Sequence, residues 1–175
     1  MSEIPANPLL AELAHLDVDA ANTLDWTQTD PETTETKVRL LTAVASYFNV
    51  LALTDFGGRL APARDARLVE QVVGAAFQTF AGEDPHPTPF DKAAMLLRGI
   101  TQGHPFNDAN KRTGFLTAAY YLEQMGFSLP AMASPDAAVA LCIRLSKGEL
   151  REVTAIRREL QRIWEQPETD ENTGP

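Results

Sequence analysis

Cysteine is almost absent from this 175-residue chain, where Cys142 stands alone. No disulfide can form within it. The apolar run "AAVALCIRL" around the thiol predicts a buried side chain rather than a nucleophile, because no histidine stands near it in sequence. Long apolar runs are missing as well, and none approaches the length that crosses a bilayer. Basic residues are the minority, 15 Lys and Arg against 24 Asp and Glu, for a formal net charge of −9. A general nucleic-acid binder needs clustered cations, so that class is disfavoured, while one local basic pocket stays open. The opening residues, "MSEIPANPLLAEL", have neither the basic start nor the apolar core of a secretory signal. A cytoplasmic protein with no membrane or nucleic acid among its partners is the expectation. Strand-like alternation, internal repeats and a P-loop pattern are also lacking. The tripeptide Asp55-Phe56-Gly57 reads as an accident, since neither a Gly-rich loop nor an "HRD" segment accompanies it.

What is there is helical spacing nearly throughout, and the fold class it predicts is all-α. A short helix is expected in "PLLAELAHL", with His15 structural. A long one follows over "DPETTETKVRLLTAVASYFNVLAL", capped by Asp30 with Pro31 in its first turn. Its buried face is expected to carry Val38, Leu41, Val44, Phe48 and Leu51, and Gly57 and Gly58 to end it. The next helix, "ARDARLVEQVVGAAFQTF", is expected to bury Leu68, Val69, Val72, Ala76 and Phe80. Thr88, Pro89 and Asp91 then form a cap, a first-turn proline and a capping-box acid. Phe90, Ala94, Leu97 and Ile100 make the inner face of that helix, which ends near Gly103. Phe115, Ala118, Ala119 and Leu122 face inward on the following one, with Gly126 its C-terminal cap. A helix from Ser134-Pro135 to about Gly148 and another carrying Leu150, Val153, Leu160 and Ile163 complete the set. Trp26 and Trp164 read as packing residues. The acidic tail "EQPETDENTGP" has almost no apolar residue and reads as disordered.

The densest polar chemistry lies in "GHPFNDANKRTG", residues 103 to 114, on a turn that leads into an apolar helix. A helix N-terminus presents unpaired N–H groups and the positive end of the dipole, so it suits phosphate. Ala109 permits close backbone approach, and Lys111 and Arg112 add cationic donors. Asp108 offers a hard oxygen ligand of the kind that joins magnesium to nucleotide phosphates. His104 has the side chain best suited to accept a proton near neutral pH. Taken singly, a His before a Pro is a turn residue, Asp and Asn are caps, and Lys-Arg is a solvated first turn. Their joint order is what points to chemistry.

That order, "HPFNDANKR" over residues 104 to 112, resembles the signature of the Fic/Doc (Fido) family at every defined position. It looks most like the death-on-curing (Doc) branch, and the likeness extends more weakly over residues 55 to 165. The resemblance implies a helical bundle with the motif loop between two central helices and a flap before it, at "FAGEDPHPTPF", residues 80 to 90. His86 in that flap reads as a solvated loop histidine. The chain then divides into an N-terminal helical extension, 1–54, that packs on a core, 55–165, and a tail, 166–175. The resemblance makes His104 the base that deprotonates a protein hydroxyl, Phe106 the buried anchor of the loop and Asp108 the Mg²⁺ ligand. Ala109, Asn110, Lys111 and Arg112 hold the phosphates of ATP. It implies a toxin that passes phosphate to a threonine of elongation factor Tu and blocks translation, restrained by an antitoxin in trans. The self-inhibited relatives carry Ser or Thr, three residues, Glu, then Gly or Asn. Here Glu171 precedes Asn172, but Pro167 stands four residues before it. Adenylyl transfer to a cytosolic protein is the alternative, and a non-catalytic helical binding module the rival from another class.

Overall fold

The computed structural model describes residues 23–55, 65–131 and 133–165. Among them run α1 (Pro31–Asp55), α2 (Ala66–Gly74, continued as a 3₁₀ turn through Ala75–Phe77), α3 (Pro89–Gly103), α4 (Asn110–Gln124), α5 (Pro135–Ser146) and α6 (Val153–Trp164). The all-α expectation holds. The one pairing of extended backbone among the described residues is the bridge between Phe80 and Glu83. No described helix is long and apolar enough to cross a membrane.

The helix starts follow the signals in the sequence. Asp30 accepts the N–H of Thr33 on Oδ1 at 3.0 Å. Thr88 accepts the N–H of Asp91 at 3.1 Å, while the Asp91 carboxylate takes the Thr88 N–H at 3.3 Å, which closes the capping box. Asp91 also receives Arg157 of α6 at 3.2 Å, so one acid both starts α3 and ties it to α6. The stops follow too. Gly126 takes φ 85° and Phe127 donates to the Leu122 carbonyl at 2.8 Å; Gly148 takes φ 73° and Glu149 donates to Arg144 at 3.0 Å. Both are left-handed glycine caps of the Schellman kind.

α3 and α4 form the central pair, with α1 laid on α4, α6 on α3, α2 between α1 and α3, and α5 closing against α3, α4 and α6. Ala93, Ala94, Leu97 and Ile100 of α3 meet Ala118 and Leu122 of α4 in a core sealed from solvent. Gly114 is what lets the pair approach. A Cβ there would stand 2.9 Å from Thr101 Oγ1 and 3.1 Å from the Leu97 carbonyl.

Two buried stripes differ from expectation. On α1 the buried residues are Lys37, Leu40, Leu41, Ala45, Ser46, Asn49, Ala52 and Leu53, while Val38, Val44, Phe48 and Leu51 are only partly covered. The helix is rotated because its inner face carries polar groups that apolar periodicity does not count. Lys37 donates to the Gln28 carbonyl, Ser46 to Thr42, and Asn49 reaches across to the loop before α4. On α2, Val69, Val73 and Ala76 are buried, Val72 is partly covered, and Leu68 and Phe80 are 38% and 65% exposed. Here the helix tightens to 3₁₀ after Gly74, so the 3.6-residue period does not carry as far as Phe80. The expected helix in "PLLAELAHL" with His15, the stop at Gly57 and Gly58, and the tail 166–175 lie outside the described residues.

Candidate nucleotide-binding and transfer site

The loop from His104 to Ala109 connects the two central helices, and both of its ends are left-handed without glycine. His104 closes α3 at φ 47°, ψ 52°, and Ala109 opens α4 at φ 60°, ψ 15°. Each such residue costs on the order of 1–2 kcal/mol, so the surroundings must hold the backbone in place. Three contacts do so. Phe106, 2% exposed, is sunk in the core. Its N–H donates to Asn110 Oδ1 at 3.0 Å, and its carbonyl accepts from Asn110 Nδ2 at 2.9 Å. From α1, Asn49 donates to the Asp108 carbonyl at 2.8 Å and to Thr113 Oγ1 at 3.1 Å.

The strain shapes what the loop presents. Buried Pro105 and Phe106 hold the middle down, while His104 and Asp108 are exposed on either side. Asp108 Oδ1 accepts the Ala109 N–H at 2.6 Å, which leaves Oδ2 for another partner. Ala109 supplies no side-chain cap to α4, so the N–H groups of its first turn receive no cap from that position. Lys111 and Arg112 stand exposed on its first turn. Arg112 also reaches the Ala52 carbonyl of α1 at 3.5 Å.

Beside that first turn lies a cavity of about 700 Å³ between α4 and α5, walled by Phe115, Leu116, Ala138, Val139 and Cys142. Lys111 and Arg112 are its only cationic lining residues among those described. An apolar slot with cations and an uncapped helix start at one side has the chemistry for a nucleotide, base in the slot and phosphates at the helix. Phe115 is half-buried, its ring 6.1 Å from that of Trp164. Among the described residues no group of three or more His, Cys, Asp and Glu could hold a metal. A single carboxylate with one uncommitted oxygen fits a magnesium ion whose remaining ligands are phosphate and water.

The expected site residues thus share one loop and one helix turn, with two qualifications. The Asn110 side chain, expected to hold phosphate, is buried and turns both ends of its amide to Phe106, so its first task is to hold the loop. His104 opens onto a different cavity from Lys111 and Arg112, of about 360 Å³, at the ends of α3 and α5. Cys142 is buried as expected. Burial pushes its thiol up to about 11, against an opposing pull from Lys111. Trp26 packs edge-on against Tyr120 and Tyr121, and Trp164 donates to the Phe127 carbonyl at 3.0 Å.

The segment ahead of α3 is a tight turn. Phe80 and Glu83 exchange backbone hydrogen bonds at 2.8 and 2.9 Å across Ala81 at φ 51° and Gly82 at φ 84°. Asp84 anchors the turn to α3 through Lys92 at 2.5 Å and accepts the His86 N–H at 2.8 Å. Burial works to raise the Asp84 carboxyl, and these partners outweigh it, leaving it below the usual carboxylate range. His86 is partly sheltered rather than solvated, and burial lowers its pKa. Asn49 and the Asp84–Lys92 pair were not singled out in the sequence. The available signal was a polar residue inside an apolar stripe for Asn49. For the ion pair, eight positions apart across a turn, there was none.

Residues 42–122, which carry the strained loop and the uncapped start of α4, match the Fic/DOC family. The match begins inside α1, upstream of residue 55. Among individual proteins, the chain is similar to Toxin Doc of Mycolicibacterium smegmatis, 37% identical over 83 residues. That alignment takes in 47% of this chain and 63% of the toxin, so it spans less than two thirds of the relative's length.

Proposed function

We propose that this chain is a Doc-like toxin of a toxin–antitoxin pair, which passes a phosphoryl group from ATP to a hydroxyl on a protein. The acceptor that the Doc resemblance implies is a threonine of elongation factor Tu, whose modification stops translation. In this reading the uncapped start of α4, with Lys111 and Arg112, binds the phosphates, and the apolar slot takes the base. His104 removes the acceptor proton as the oxygen attacks the γ-phosphorus in line, the bond to the β–γ bridging oxygen breaks and ADP leaves. Bound magnesium would neutralise phosphate charge, and Asp108 is the residue that would hold it. Inhibition comes from an antitoxin in trans.

The observation that carries the choice of phosphoryl over nucleotidyl transfer is Phe115. In nucleotidyl-transferring relatives an arginine three residues beyond the first motif arginine helps hold the terminal phosphate. Here that position is an apolar ring packed against Trp164. It has no donor to give, so a triphosphate turned with its γ-phosphate toward His104 loses nothing at that position. Parallel reactions with γ-labelled and α-labelled ATP and a cell lysate test this. Label from the γ position alone is expected on a protein band. Label from the α position would establish nucleotidyl transfer, and no label under any metal condition would leave a binding module.

A further inference from the structure

The cavity onto which His104 opens is basic, in a chain of net charge −9. It is lined by Arg98 and Gln102 of α3, His104, and Lys147, Gly148 and Arg151 of the turn between α5 and α6. Among the described residues no carboxylate lines it and none of its three cations is ion-paired. Arg98 Nε makes only a long contact of 3.4 Å to Gln102 Oε1, and Arg151 Nε donates to the Gly148 carbonyl at 3.1 Å. The Gln102 amide is spent on the Leu145 and Leu150 carbonyls, at 3.0 and 3.1 Å, which braces the turn against α3. Lys147, as C-cap of α5, complements that helix's dipole. Arg98 and Arg151 exceed what that end requires.

We propose that this cleft binds acidic side chains that flank the acceptor hydroxyl of the protein substrate. The proposal rests on His104 acting upon a protein hydroxyl. His104 lines this cleft and Lys111 and Arg112 line the other, so an acceptor presented to His104 has its neighbouring residues over the cations of the α5–α6 turn. Carboxylates fit better than a compact phosphate. The helix ends that border the cleft, those of α3 and α5, are C-termini, which offer carbonyls rather than N–H donors. Recognition therefore falls to long arms from separate elements, a geometry suited to several dispersed carboxylates and to steering an acidic segment in.

The test uses the full chain and two dye-labelled peptides, one with a threonine flanked by glutamates and one with the same threonine flanked by glutamines. Fluorescence anisotropy is expected to show the glutamate peptide bound in preference by the wild type. A Lys147→Glu/Arg151→Glu double variant, altered only at exposed positions, should bind it about tenfold more weakly or worse with ATP binding unchanged. A Lys147→Arg/Arg151→Lys variant should keep the preference. Equal binding of the two peptides, or undiminished binding by the double variant, overturns the proposal. So does displacement of the peptide by inorganic phosphate at low concentration, which would mark a phosphate site. Charge-dependent peptide binding without any transfer from ATP would uphold the cleft as an acidic-peptide site and remove the transfer reading alone.

Discussion

At the scale of single residues, the loop divides labour between side chains that face out and side chains that hold it there. Replacing His104 with alanine removes a group that holds nothing else in place. Transfer is expected to fall by ~10² to 10⁴ while nucleotide affinity stays close to wild type, as single-turnover rates and ATP titration would show. A variant with near-normal turnover would strip His104 of the role of base. Asn110→Ala acts differently, since it leaves the buried Phe106 N–H and carbonyl without partners. A loss of about 1–3 kcal/mol in unfolding free energy is expected by urea denaturation, together with lost activity. Unchanged stability would mean that buried Phe106 and the Asn49 contact hold the loop without Asn110. Cys142 supplies a third check. Its thiol is raised from 9.0 to about 11 in the folded chain, so the unfolded chain ionises first and stability falls as pH rises across that interval. At neutral pH the folded protein should resist iodoacetamide and the denatured protein should react; fast labelling of the folded protein would contradict the burial.

At the scale of elements, the α3–α4 pair sets the span between His104 and the start of α4. Gly114→Ala would press a methyl against Thr101 Oγ1 at 2.9 Å and the Leu97 carbonyl at 3.1 Å, neither of which is the end of a long flexible chain. A destabilisation of about 1–3 kcal/mol is expected, with lower activity at temperatures where the variant remains folded. An unaltered melting temperature would show that the two helices can part without cost. Helix boundaries were legible in the sequence because caps are local chemistry. Asp30, Thr88 with Asp91, and Ser134 bond within a few residues of themselves, and Gly126 and Gly148 answer a backbone need. Burial was less legible where a helix bends out of period or hides polar groups. The 3₁₀ turn after Gly74 leaves Phe80 exposed, and Asn49 on α1 is explained only by partners 59 and 64 positions away. The candidate site was legible in its residue types. The left-handed conformations of His104 and Ala109, and the inward turn of the Asn110 amide, depend on tertiary contacts and carry no mark in the sequence.

At the scale of the whole molecule, the loop is held from two sides, by Asn49 of α1 and by the core under Phe106, and it faces two cavities of different chemistry. The apolar slot with Lys111 and Arg112 suits the donor, and the basic cleft at His104 suits the acceptor. The proposed restraint in trans has its own consequence. Removing residues 166–175 from the purified protein should leave the rate of transfer unchanged, and a sharp rise would reveal a brake within the chain. The most direct measurement is the intact mass of elongation factor Tu after incubation with this protein, ATP and magnesium, set beside the same reaction with His104→Ala. An increment of one phosphoryl group, absent with the variant, is expected. A nucleotidyl increment, or an unmodified factor with the wild-type protein, would contradict it.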